Sequence, residues 1–279
     1  MDTTDTFTDL RDLAVRIAVD AAGRISTKRL ELGDIRRHYI TKSSAVDPVT
    51  VVDTLAEDFI VDQLENARPG DGIIGEEGSE QPSLTGVSWV IDPIDGTVNF
   101  LYGIPHYAVS IAAAIDGRVV AGAVVNIGDG TVYAAAEGAG ATATRDGERT
   151  VLACNLLTDP AQALVATGFS YSATRRQAQA GLLARVLPQV RDIRRMGAAA
   201  LDLCLLAEGR IDAYYEHGIS CWDYAAGMLI AREAGAEVQA PSLSTPGVAG
   251  EVTYAAAATL APILTPVLDA AGIFSRLPR

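Results

Sequence analysis

The sequence predicts a mixed α/β fold, on three observations: an apolar stripe at helical spacing near the amino terminus, strand-like segments between residues 107 and 136, and alternating helix and strand patterns beyond residue 150. Phe7, Leu10, Ala14, Ile17 and Ala21 recur at helical intervals, which predicts a first helix ending near Gly23 or shortly beyond. A second helix is expected over 54–67, with Leu55, Phe59 and Leu64 facing inward. Short strands follow at 73–74 and 89–91, then longer ones at 107–115, 119–125 and 131–136. Asp116-Gly117 is a hairpin signal between the first two of the longer strands. The second half reads as helices over 174–187, 198–207 and 223–234, with strands at 164–166, 213–215 and 254–258.

With 279 residues, 49% of them hydrophobic, the chain can bury a large core, either as one large domain or as two closely packed lobes, 1–150 and 151–279. The opening Met1-Asp2-Thr3-Thr4-Asp5 is acidic and polar, unlike the basic start and apolar centre of a secretory signal. No apolar run approaches the ~18 residues needed to cross a bilayer, so no membrane partner is expected. Cys154, Cys204 and Cys221 are odd in number and scattered, which argues against a disulfide framework or zinc ribbon and for a reducing cytoplasm. The net charge of −13 disfavours nucleic-acid binding.

Four carboxylates carry most of the chemical information: Glu76 in Gly75-Glu76-Glu77-Gly78, Asp92 and Asp95 in Asp92-Pro93-Ile94-Asp95-Gly96-Thr97, and Asp223 in Cys221-Trp222-Asp223. Hard oxygen ligands with no His among them describe a Mg²⁺ site rather than a zinc site. Asp92 ends the apolar run Trp89-Val90-Ile91, where open α/β sheets place ligands. Pro93 fixes the backbone and removes a donor, and Gly96 permits a tight turn, so Asp95 can address the same ion as Asp92. A helix opening at Thr97 would aim the N–H groups of Gly96 and Thr97 at a phosphate oxygen. Such a cluster repels itself, by about 1 kcal/mol per pair at 4 Å in water, and it repels a phosphate ester too. Divalent cations resolve both conflicts, so phosphate binding is expected to depend on metal.

Asp92 through Phe100, with Gly75-Glu76-Glu77 before it and Trp222-Asp223-Tyr224-Ala225-Ala226-Gly227 far downstream, resembles the inositol monophosphatase family. The segments 42–50 and Asp212-Ala213-Tyr214-Tyr215-Glu216 are also similar to family segments, so the resemblance runs from about residue 40 to about 240. It implies a single domain over 1–279, folded as the layered α-β-α-β-α sandwich of the inositol monophosphatase and fructose-1,6-bisphosphatase type. It also implies hydrolysis of a small phosphate monoester by metal-activated water, with two or three Mg²⁺ ions, inhibition by lithium, and a homodimer.

On the same resemblance, Glu76, Asp92 and the Ile94 carbonyl hold the first metal, and Asp92, Asp95 and Asp223 the second. Glu76 and Thr97 activate water, and Asp53 supports Thr97; Asp53 also reads as an N-cap of the second helix. Asp95, Gly96, Thr97, Gly197, Ala198, Ala199, Glu216 and Asp223 form the substrate set. Ala198 stands where the family often has a hydroxyl residue, a departure that removes one side-chain hydrogen bond. Lys42 fits either a phosphate-assisting ammonium or a solvated loop lysine.

Inositol-1-phosphate is the first substrate reading. Histidinol phosphate, fructose 1,6-bisphosphate and 3′-phosphoadenosine nucleotides are the alternatives, and Asn99 argues against the last. A different class is an RNA-associated regulatory protein that keeps the fold. Gly168-Phe169-Ser170-Tyr171-Ser172 imitates a nucleophile elbow but lacks its second glycine. Trp222 reads as packing that positions Asp223, His217 as at best a rim residue, and 191–195 as a solvated or subunit-facing strand.

Overall fold

A computed structural model of the chain describes residues 3–35, 39–41 and 48–277, with side chains over 6–35 and 51–277. Lys42 and the rest of 42–47 lie outside the described residues, so its two readings stay open.

Helix α1 (Thr3–Leu32) leads to a two-stranded antiparallel ribbon, β1 (Tyr39–Thr41) with β2 (Pro48–Thr50), and then to α2 (Val51–Ala67). The first large sheet takes β3 (Gly72–Gly75), β4 (Glu80–Gln81), β5 (Val87–Asp95), β6 (Ala108–Ile115), β7 (Arg118–Asn126), β8 (Val132–Ala136), β9 (Ala141–Arg145) and β10 (Glu148–Val151), in the order β10-β9-β8-β7-β6-β5-β3-β4. A short helix, α3 (Thr97–Tyr102), joins β5 to β6. The rest of the chain builds a five-stranded sheet from β11 (Leu164–Thr167), β12 (Asp192–Arg194), β13 (Ala213–His217), β14 (Ala236–Gln239) and β15 (Val252–Ala257), ordered β12-β11-β13-β15-β14. Its helices are α4 (Ala173–Val186), α5 (Ala199–Ala207), α6 (Cys221–Glu233) and α7 (Ala261–Ala270).

The two-residue period of strands sorts side chains into layers. Trp89, Ile91, Val109, Ile111, Ala121 and Ala123 leave one face of the first sheet and pack with Leu10, Ala14, Ile17, Ile60 and Leu64 of α1 and α2. Val90, Ala112, Val124 and Tyr133 leave the other face and meet α5 and α6, which also cover Ala166, Tyr214 and Ala255 of the second sheet. Val165, Ala213, Tyr215, Tyr254 and Ala256 point away from that middle layer, and Leu182 and Val186 of α4 and Leu264 and Leu268 of α7 close over them. The result is the α-β-α-β-α sandwich that the resemblance implies. The strands within 107–136 therefore fill the core of the chain.

Several expectations need correction. α1 does not stop at Gly23 but runs to Leu32, because Ile25 continues the buried stripe four residues after Ala21. The inward face of α2 is Val52, Ala56, Ile60 and Leu64; Leu55 is 49% exposed, and Phe59 lies under the Arg24 guanidinium at 4.0 Å. Asp53 falls inside the first turn of α2 rather than at its N-cap. His217 lines a cleft but is itself buried, with Nε2 2.7 Å from the Ile273 carbonyl. Segment 191–195, in contrast, is a solvated strand as expected: it contains β12, an edge strand of the second sheet, where Asp192 and Arg194 are exposed and paired with each other.

Candidate metal centre and active-site cleft

Asp92 and Asp95 are three residues apart, and in a regular strand an odd spacing sends side chains to opposite faces. The β5–β6 pairing breaks this rule: Asp92 pairs with Ser110 but Asp95 with Ala108, so β5 has one residue more than β6 across the interval. This β-bulge, at the Pro93 that lacks a donor, turns both carboxylates to one side. The Asp92 Oδ1 stabilises it by accepting the Ile94 N–H at 3.0 Å. Asp223 arrives from the other half of the chain, in the first turn of α6, and its Oδ2 accepts the Ser220 N–H at 2.6 Å. α6 reaches this depth because Gly122 of β7 faces it: a Cβ there would stand 3.1 Å from the Ala226 Cα.

One carboxylate oxygen from each of Asp92, Asp95 and Asp223 lies within 4.8 Å of the others. Burial drives the carboxyls of Asp92 and Asp95 well above the usual range. For Asp92 the next causes are the charges of Glu76, Asp95 and Asp223; for Asp95 the next is Asp223. Asp95 is steadied by N–H groups at the start of α5, from Ala199 at 3.3 Å and Ala200 at 2.7 Å. A buried set of acceptors that repel one another fits a hard divalent cation, which would neutralise the set and take oxygen ligands alone.

Glu76, just past β3, stands outside this tight trio but lines the same cleft and hydrogen-bonds with Asp92. Its turn is held by a residue that the sequence motifs do not mark. The buried Glu57 of α2 accepts the N–H groups of Glu77 at 2.8 Å and Ser79 at 2.9 Å. Glu57 follows Asp53 by four residues, so the two acids share the buried face of α2. Thr97 begins α3, as the motif suggests. Its hydroxyl lies 3.3 Å from Asp53 Oδ1 and 3.1 Å from the Ile94 carbonyl. Gly96, at φ 92°, is left-handed and crowded: a Cβ would meet the His106 carbonyl at 3.0 Å and the Ala198 Cβ at 3.1 Å.

The cleft above these groups holds about 470 Å³ and is lined by both halves of the chain. Gly197, Ala199, Glu216 and Asp223 line it as the substrate set requires, whereas Ala198 is buried and absent from the lining. The Ala199 N–H, a candidate substrate donor, is already given to Asp95. Glu216 accepts the Tyr214 hydroxyl at 2.9 Å, and burial pushes its carboxyl up to about 7 against the pull of that bond and of Arg195. Asn99 is buried and donates to the carbonyls of His106 at 2.8 Å and Met196 at 2.7 Å, so it packs the site rather than reads substrate. Among the described residues no histidine or carboxylate hydrogen-bonds Ser170 or Ser172, and Ser172 caps α4 instead. Serine hydrolase chemistry has no triad here. Trp222 both packs against the middle layer and lines the cleft.

Residues 8–271 match the inositol monophosphatase family. The chain belongs to the inositol monophosphatase family. It is therefore a phosphoric monoester hydrolase, from a family of metal-dependent phosphatases. It is 51% identical over 273 residues to the inositol-1-monophosphatase SuhB of Mycobacterium tuberculosis, covering 93% of each chain. It is 41% identical over 227 residues to the Nus factor SuhB of Xylella fastidiosa, covering 81% of each. The solved structure of Mycobacterium tuberculosis SuhB superimposes with a TM-score of 0.83 at 47% identity, covering 96% of this chain and 98% of that one. Among the described residues no helix is long and apolar enough to cross a membrane.

Proposed function

We propose that this family member is a Mg²⁺-dependent phosphatase of a small polyol phosphate, with inositol-1-phosphate as its first substrate. The observation that carries the reading is the gathering of Asp92, Asp95 and Asp223 within 4.8 Å beneath a cleft that also receives Glu76 and Thr97. Asp92, Asp95 and Asp223 would hold one cation, and Glu76, Asp92 and the Ile94 carbonyl another, with Glu76 able to reach a third. Divalent cations supply charge neutralisation at the phosphoryl oxygens and Lewis acidity toward water.

The chain's own groups do the rest. Thr97 has one hydroxyl proton and two acceptors, Asp53 and the Ile94 carbonyl, so its lone pairs are directed at the cleft, where they orient the attacking water. Glu76, half-buried at the cleft edge, takes the water's proton. The first N–H groups of α3 have no intrahelical partner and receive a phosphoryl oxygen, beside the left-handed Gly96. Glu216 and Asp223 accept hydrogen bonds from the hydroxyls of the departing alcohol. Both halves of the chain supply these groups, which supports reading 1–279 as one functional domain. Homodimerisation, lithium sensitivity and a cytoplasmic setting belong to the same proposal.

The test is phosphate release from inositol-1-phosphate by purified protein, with Mg²⁺ and with EDTA. Release that persists undiminished in EDTA, or none with Mg²⁺, overturns the reading. A regulatory, RNA-associated role is a second reading, favoured by the name of the Xylella fastidiosa relative and opposed by the net charge of −13. A gel shift with structured RNA at physiological salt would revive it.

A further inference from the structure

Arg195 follows β12 and behaves unlike the basic residues around it. Arg194 is paired with Asp192 at 2.6 Å in solvent, whereas Arg195 lines the cleft. Gly197 makes room for it: at φ 94° the chain bends beneath the guanidinium, and a Cβ on Gly197 would lie 2.5 Å from one of its nitrogens. The side chain is exposed, and among the described residues it has no hydrogen bond and no ion pair within 4 Å. The other arginine of the cleft is committed elsewhere. Arg175 is buried and donates to the carbonyls of Gly247 at 3.0 Å and Val248 at 2.9 Å, which fixes a wall rather than reading a ligand.

Arg195 acts electrostatically on Glu216, lowering its proton affinity against burial. One Glu216 oxygen takes the Tyr214 hydroxyl, and the other remains for a ligand. The cleft thus holds a fork of donors with no acceptor within electrostatic reach of a carboxylate that has one oxygen unpaired. A single hydroxyl can satisfy either partner, but two adjacent hydroxyls satisfy both, one accepting from the guanidinium and one donating to the carboxylate. An alkyl or aryl alcohol satisfies neither and leaves both desolvated.

Resting on the polyol-phosphatase reading above, we infer that Arg195 is a specificity-determining residue, forming with Glu216 a donor–acceptor pair that selects phosphate esters whose alcohol carries adjacent hydroxyls. The selection falls on the leaving group and leaves the phosphoryl chemistry to the carboxylates and Thr97.

The experiment measures kcat and KM in Mg²⁺ for inositol-1-phosphate, glycerol 3-phosphate and phenyl phosphate, using wild type, Arg195→Met and Arg195→Lys. Losing one charge-assisted hydrogen bond predicts that Arg195→Met lowers kcat/KM for the two hydroxylated esters roughly tenfold, mainly through KM, while phenyl phosphate stays within about twofold. Arg195→Lys, with one donor point instead of a fork, is expected to lie between. An equal fall for all three esters, or no change for any, overturns the inference. If wild type releases phosphate from phenyl phosphate and glycerol 3-phosphate but not from inositol-1-phosphate, the inositol reading fails, while the ratio of the remaining two esters still judges Arg195. Thermal melts accompany the kinetics, and a Met variant that melts early passes the comparison to Lys.

Discussion

Replacing Asp95 by Asn tests whether the site is strained without its cation. The carboxylate is buried, has oxygens of Asp92 and Asp223 within 4.8 Å, and caps α5 through Ala199 and Ala200. Two unit charges at that separation repel by about 3.5 kcal/mol at an effective dielectric of 20 and by about 0.9 in bulk water. Folded wild type escapes part of this by keeping protons, and the variant gives up part of a charge-assisted cap worth about 1–2 kcal/mol. The net expectation is a metal-free Asp95→Asn protein about 2 kcal/mol more stable than wild type at pH 8, or about 4–8 °C in melting temperature.

The pH dependence has a definite sign. Asp92 and Asp95 are held well above the ordinary carboxylate range, so between that range and their folded values the native state keeps protons that the unfolded chain has lost. Their contribution is complete below the ordinary range and is lost as pH rises, at no more than about 1.4 kcal/mol per pH unit for each group. Metal-free wild type should therefore weaken from pH 5 to pH 8 more steeply than the variant. Mg²⁺ should reverse the ranking, since a cation at a hundredfold excess over its Kd adds about 2.7 kcal/mol to wild type, and the variant should keep less than half of that gain. Melts at both pH values, in EDTA and in saturating Mg²⁺, decide the matter. An equal Mg²⁺-dependent rise in the two proteins would refute the reasoning, as would metal-free wild type that outlasts the variant at pH 8.

Three further outcomes can be checked with the same protein. Glu57→Gln loses one of two charge-assisted bonds to the Glu76 turn, about 1.5–3 kcal/mol, and should lower kcat roughly tenfold while KM moves little; unaltered kcat would remove Glu57 from the positioning of Glu76. Glu216, with its carboxyl near 7, should lose its acceptor role as pH falls through that value, so KM for inositol-1-phosphate rises below about pH 7 in wild type and stays flat in Glu216→Gln. The folded-state elevation also means that Glu216 lowers stability as pH rises through 7, so Glu216→Gln should melt above wild type at pH 8 and not at pH 5. Gly168→Ala would put a Cβ into the Glu216 carboxylate and should raise KM for inositol-1-phosphate about tenfold, with phenyl phosphate turnover retained; equal KM values would mean that Glu216 is free to move aside.

What the sequence makes legible here is what is encoded within a few residues. Pro93 and Gly96 mark the bulge and turn around Asp92 and Asp95, and Asp116-Gly117 marks the β6–β7 hairpin, with both residues at positive φ. Glu57 is illegible because its partners, Glu77 and Ser79, lie 20 and 22 residues downstream. The phase of α2 is ambiguous for a related reason: its inward face carries Asp53 and Glu57, so a purely apolar pattern selects Leu55 and Phe59 instead. β10 and β12 are short and polar because they lie at sheet edges, and β9 beside β10 marks its buried face with only Ala141 and Ala143. α7 carries Pro266 in its interior, which argues against a helix, and burial of Leu264 and Leu268 against the second sheet overrides it; Pro262 lies in the first turn, where its missing N–H removes no helix bond.

Arg195 is the instructive case, because a local signal was present in a segment that reads as one basic patch. A strand period of two separates Asp192 and Arg194 from Ile193, and Arg195 is the first residue beyond the strand. Ile193 packs against the core of the second sheet, so the face opposite Arg194 is the one directed into the molecule. Arg195 is exposed in the open cleft, and a bound ester that covers it must supply a hydrogen-bond partner. Glu216 feels the guanidinium electrostatically without pairing with it, and a diol on the departing alcohol can pair with both. The end of β12 therefore bears on leaving-group choice through one chain of physical steps: the bend at Gly197, the guanidinium lining the cleft, its covering by a bound ester, and hydrogen-bond pairing.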